Sequence, residues 1–143
     1  MRNHTFNHKF SVELGDWSGD GHGITATYYI DCTCESEDRQ EALIQVRGAA
    51  KRAAKLRPEL NPVNLCESYE DNRISAEVAD GYRALGVDFD NMEGSARVYQ
   101  YRMMEMIVAF INLGDPTLQA RIIDDDAIDL DYFRGIGYGL FSP

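Results

Sequence analysis

Apolar and polar residues alternate strictly near the start of the chain, where Phe6, His8, Phe10, Val12 and Leu14 are separated by Asn7, Lys9, Ser11 and Glu13. A period of two sends successive side chains to opposite faces, so this run predicts a half-buried strand. Ile24, Ala26, Tyr28, Ile30 and Cys32 repeat the pattern against Thr25, Thr27, Tyr29 and Asp31. Between the two runs lies Gly-Asp-Trp-Ser-Gly-Asp-Gly-His-Gly, residues 15–23. Two matched alternations around a glycine-rich connection predict a β-hairpin with a long loop. Phe6, Phe10, Val12, Leu14, Ile24, Ala26, Tyr28 and Ile30 should then share one buried face, because a slip of one residue would invert every side chain.

The pattern changes to a helical period beyond Cys34. Leu43, Val46, Ala50 and Ala53 form one apolar face, with Ser36 as the expected cap. Glu37, Asp38 and Glu41 near the start and Lys51, Arg52, Lys55 and Arg57 near the end complement the helix dipole, and Pro58 stops the helix. Residues 62–69 read as a returning third strand. Ser75 caps a short helix carrying Val78, Tyr82 and Leu85, closed by Gly86. From Asp90 and Glu93, a capping-box spacing, a long helix is expected to reach Gly114. Met92, Ala96, Tyr99, Met103, Met106, Phe110 and Leu113 recur along it at intervals of four and three. Asp115-Pro116 opens another short helix bearing Leu118 and Ile122. The expected fold is α+β: an antiparallel hairpin, extended to a three-stranded sheet, packed on a cluster of helices with a long apolar helix near 91–113.

Composition adds boundaries to this outline. A chain of 143 residues, 44% apolar and 27% charged, has the size and make-up of one globular domain spanning 1–143. The polar start carries no signal-peptide pattern, and the most apolar window, 103–113, contains Glu105 and Asn112. Three cysteines, an odd number, fit a reducing cytoplasm better than a disulfide framework. The expectation is a cytoplasmic protein without membrane contact. A net charge of −10 argues against generic nucleic-acid binding, since phosphate would be repelled. The charge is unevenly spread. Six of the fourteen Lys and Arg lie between Arg39 and Arg57, whereas the last twenty residues hold five Asp against Arg134 alone.

Several clusters are candidates for chemistry. Asp16, Ser18, Asp20 and Gly21 match the first positions of a calcium loop, but Thr27 stands where the bidentate Glu belongs and the flanks are strands. A hydrolase reading makes His22 a base oriented by Asp16 or Asp20, without an accompanying nucleophile motif. A turn explains the aspartates and glycines, yet not Trp17 at a loop tip, which suits a gripping contact. Cys32, Cys34 and Cys66 with His4, His8 or His22 have the ligand types of a zinc site but not the knuckle spacing, and His8 reads as a satisfied core histidine. No metal or cofactor is therefore expected.

Arg47, Lys51 and Lys55 stack on one helical face, where an anionic, nucleotide-like small ligand or an acidic patch of another copy would dock. The long helix is apolar on a second side through Tyr101, Met104, Ile107, Val108 and Ile111, which predicts a homo-oligomeric contact. Three functions follow in order. The first is a non-enzymatic binding protein, an inhibitor or regulator, that holds a protein partner through Asp16, Trp17, Ser18, Asp20, His22 and the acidic surface. The second is an oligomeric module holding an anionic ligand on the Arg47/Lys51/Lys55 stripe. The third is a small hydrolase built on Asp16, Asp20 and His22.

Overall fold

The computed structural model describes residues 4–16, 24–62, 76–87 and 96–123. Strands β1 (Phe6–Asp16) and β2 (Ile24–Cys34) pair antiparallel without interruption, from Phe6 opposite Cys34 to Asp16 opposite Ile24. Directly opposed residues in such a ladder share a face. The register therefore aligns Phe6, His8, Phe10, Val12 and Leu14 with Cys34, Cys32, Ile30, Tyr28 and Ala26. Phe10, Val12, Tyr28, Ile30, Cys32 and Cys34 are buried on this face, and Phe6 is half-buried. Side-chain burial at Leu14, Ile24 and Ala26 lies outside the described residues.

The third strand of the sheet is β3 (Arg121–Ile122), which pairs antiparallel with β2 at Asp31 and Ile30 and makes β2 central. Ile122, expected on a short helix, thus lies in a strand. The helix expected there shrinks to a 3₁₀ turn, Pro116–Leu118, capped by the Asp115 side chain, which accepts from the Thr117 N–H. Gln119 ends that turn at φ 45° and redirects the chain into β3. Of the strand expected at 62–69, residues 63–69 lie outside the described residues.

Helix α1 (Arg39–Leu56) buries Ala42, Leu43, Val46, Ala49, Ala50 and Ala53. Its cap is Asp38 rather than Ser36: the Asp38 carboxylate accepts from the backbone N–H groups of Gln40 and Glu41. Ser36 acts one layer further out, accepting from Asp38 N at 3.0 Å and donating to the Glu41 carboxylate at 2.5 Å. Pro58 opens a 3₁₀ turn, Pro58–Leu60, immediately beyond α1.

Helix α2 (Ala76–Ala84) closes as its sequence suggests. Gly86 takes φ 94°, its N–H bonds Arg83 O, and Val87 N–H bonds Tyr82 O. This pair of bonds is a Schellman motif, and it brings buried Val87 back toward buried Tyr82. Helix α3 (Ala96–Gly114) packs chiefly against α1. Residues 88–95, where its start and its capping box were expected, lie outside the described residues. Met103, Met106, Ile107, Phe110 and Ile111 of α3 are buried, while Tyr101 is exposed and Arg102 pairs with Glu105. Among the described residues no helix is long and apolar enough to cross a membrane. The core thus lies between the even-numbered face of the hairpin and the α1–α3 pair.

Candidate functional site

The hairpin ladder carries residues 17–23 beyond its last pair, Asp16 opposite Ile24. Among the described residues β3 pairs with β2 at Ile30 and Asp31, and Ile123 N–H adds a bond to Tyr29 O. Asp16 ends β1 by its backbone. Trp17, Ser18, Asp20 and His22, and with them the calcium and hydrolase readings, lie outside the described residues.

The structure brings together His8, Cys32 and Cys34 at the base of the hairpin. His8 faces Cys32 across the ladder, stacks on Phe10 at 6.2 Å between ring centroids, and places Nε2 2.8 Å from Ser36 O. A carbonyl can only accept, so Nε2 carries the proton and His8 ties the sheet to the approach to α1. That bond accounts for His8 as a satisfied core residue. Cys32 and Cys34 are free thiols. Burial pushes the Cys32 thiol far above its ordinary range, with the neighbouring Cys34 and Asp31 adding to the shift. Burial likewise pushes Cys34 up to about 11, helped by Asp31 and Asp115. Metal binding and nucleophilic attack both need the thiolate, which this surrounding disfavours. Among the described residues no three His, Cys, Asp or Glu side chains converge as a metal site. Cys66 lies outside them.

Beside this corner opens a cleft of about 540 Å³ lined by His4, Thr5, Thr33, Cys34, Glu35, Gln45 and Thr117. Its walls come from the base of the hairpin, from α1 and from the turn before β3. No sequence pattern marks it, because its lining is assembled from four separate stretches of chain.

On α1, Arg47, Lys51 and Lys55 are all exposed, on the side opposite the buried Leu43, Val46, Ala50 and Ala53. Ile44 stands in the same row, three residues before Arg47, and is 68% exposed. Leu56, at the last turn, is 63% exposed. These two aliphatics were missed by a reading that followed the charges alone. The signal was present, since Ile44 falls off the apolar face of α1. Neighbouring Arg52 turns aside and bonds the end of α3, with Nε 3.0 Å from Gly114 O and the guanidinium 3.5 Å from the Asp115 carboxylate.

The expected interface residues of α3 divide in two. Ile107 and Ile111 are fully buried in the chain's own core and present nothing to a second copy. Their apolar side is covered from within, because β2, β3 and the 3₁₀ turn all pack on α3 in addition to α1. Met104 and Val108 are half-buried against that core, and only Tyr101 is exposed.

No family model matches the chain, and no curated protein or solved structure is significantly similar to it.

Proposed function

We propose that this is a non-enzymatic binding protein, an inhibitor or regulator, that engages a macromolecular partner through the loop at residues 15–23. One observation supports this reading above others. The β1–β2 ladder runs unbroken to Asp16 opposite Ile24, so the strands that lead into and out of the loop are held in fixed register up to its edge. A rigid base of this kind suits a loop to recognition. Its Trp17 supplies a large rigid contact of the kind that dominates interfaces, and Asp16, Ser18, Asp20 and His22 supply polar complements.

The test uses a photo-crosslinking residue at position 20, in cells of the source organism, to identify the partner. Affinity of the recovered partner is then measured for wild type and Trp17→Ala, alongside thermal unfolding. The expected result is at least about a tenfold loss of affinity, the order of a hot-spot truncation, with an unchanged melting temperature. Retained binding together with a large fall in melting temperature would make Trp17 a packing residue and overturn the reading.

A further inference from the structure

We propose that α1 pairs antiparallel with α1 of a second copy of this chain, about a two-fold axis that crosses its outer face midway between Ile44 and Gly48. This contact does not depend on the hairpin loop. Three observations carry it.

The first is shape. Ile44 is 68% exposed in the middle of a helix whose opposite side forms the core, and an aliphatic side chain gains nothing from water. One turn further along the same face stands Gly48, a poor helix former in a helix interior. Among the described residues a Cβ built there meets only the far end of the Arg52 side chain, at 3.4 Å, so packing within the chain does not call for glycine. In the antiparallel pair Ile44 of each copy sits over Gly48 of the other. The missing side chain leaves room for that knob and lets the two backbones approach closely.

The second is charge complementarity. Glu41 stands three residues before Ile44, and Lys51 stands three residues after Gly48. The register that seats Ile44 on Gly48 therefore sets Glu41 opposite the partner's Lys51. Four residues further out, Glu37 comes opposite the partner's Lys55. All four side chains are exposed. The Glu41 carboxylate accepts from Ser36 Oγ and has lone pairs left for an ammonium group. Two-fold symmetry makes each of these pairs twice. Exposed ion pairs contribute little to stability one by one, but they fix orientation, since a parallel pair would set like charge on like charge.

The third is the character of the remaining surface. Two copies that each carry −10 repel one another. The Glu37, Glu41, Lys51 and Lys55 set is neutral in sum, so two copies can meet there without adding to that repulsion. The competing helix face offers less, because Ile107 and Ile111 of α3 are buried in the chain's own core. One helix face per copy is a small contact, so the dimer is weak and sensitive to salt.

Sedimentation equilibrium of the full chain tests the contact, from about micromolar to about millimolar concentration and from low salt to about 0.5 M salt. A monomer–dimer equilibrium that weakens with salt is expected. Glu41→Lys and Lys51→Glu should each raise the dimer Kd at least about tenfold. An equimolar mixture of the two variants, and the double variant, should each restore association, because the facing charges are opposed again. Gly48→Gln fills the gap without touching the core and should weaken the dimer by a similar factor, with circular dichroism showing a folded chain. A wild-type protein that stays monomeric at about 1 mM overturns the proposal. A dimer indifferent to salt, to the charge reversals and to Gly48→Gln also overturns it and assigns the contact to another face. Charge reversals whose mixture and double variant remain monomeric overturn the antiparallel register.

Discussion

The carboxamide of Asn112 bonds both backbone groups of Ala120, donating to its carbonyl at 3.1 Å and accepting from its N–H at 2.7 Å. It thereby stands in for a neighbouring strand and sets the chain on course for β3. Asn112→Leu should cost roughly 1–3 kcal/mol, because two backbone groups lose their partner at a half-buried site. A urea midpoint within error of wild type would show that water replaces the side chain without cost. The thiols make a second residue-scale prediction. Cys34 has a folded-state value pushed up to about 11 by burial, against an ordinary 9.0. A raised value means that the folded state holds the proton more tightly, so this contribution is complete below pH 9 and is lost as pH rises toward 11. Urea stability should therefore fall across that window, and less steeply in Cys34→Ser. Cys32 shifts in the same direction and should resist alkylation at pH 8 until the protein is unfolded.

Helix ends and helix contacts decide the next scale. The Asp38 carboxylate takes two of the orphan N–H groups of α1, whereas Ser36 reaches only Asp38 N and Glu41. Asp38→Ala should lower stability by about 1 kcal/mol, with Ser36→Ala costing less. Equal losses would mean that the two residues act as one network. The α1–α3 contact sets a sharper limit. A Cβ built on Gly114 would lie 1.8 Å from Ala49 O, and that neighbour is backbone, so it cannot swing away. Gly114→Ala must separate the helices or unwind the end of α3. We expect a melting-temperature fall well beyond that of Gly86→Ala, which meets no neighbour and bears only the cost of a positive φ, on the order of 1 kcal/mol.

For the molecule as a whole, α3 separates self-association from folding. Ile111 is fully buried in the chain's own core, so Ile111→Glu places an unpaired carboxylate there and should unfold the protein. Met104 is half-buried at the margin, and Met104→Glu should leave a folded chain. Circular dichroism distinguishes the two, and analytical ultracentrifugation of the Met104 variant then reads any change in copy number. A folded Ile111→Glu protein would mean that α3 is covered less completely than the packing shows.

The sequence by itself determined the hairpin, the apolar face of α1, the Gly86 closure and the Asp115 cap. Each is a local matter: alternation settles register, a positive φ calls for glycine, and an aspartate before proline caps a turn. What the tertiary structure decided was long-range. The strand that joins β2 is Arg121–Ile122, too short to leave a period, and it is located by Asn112 and by the Arg121–Asp31 ion pair at 2.8 Å. Ile107 and Ile111 became core because several elements converge on α3, which no pattern within the helix records. The same holds for the candidate surfaces. The cationic row was legible from its spacing, but only the packing showed that Ile44 stands exposed in line with it, because exposure is a property of the neighbours and not of the residue.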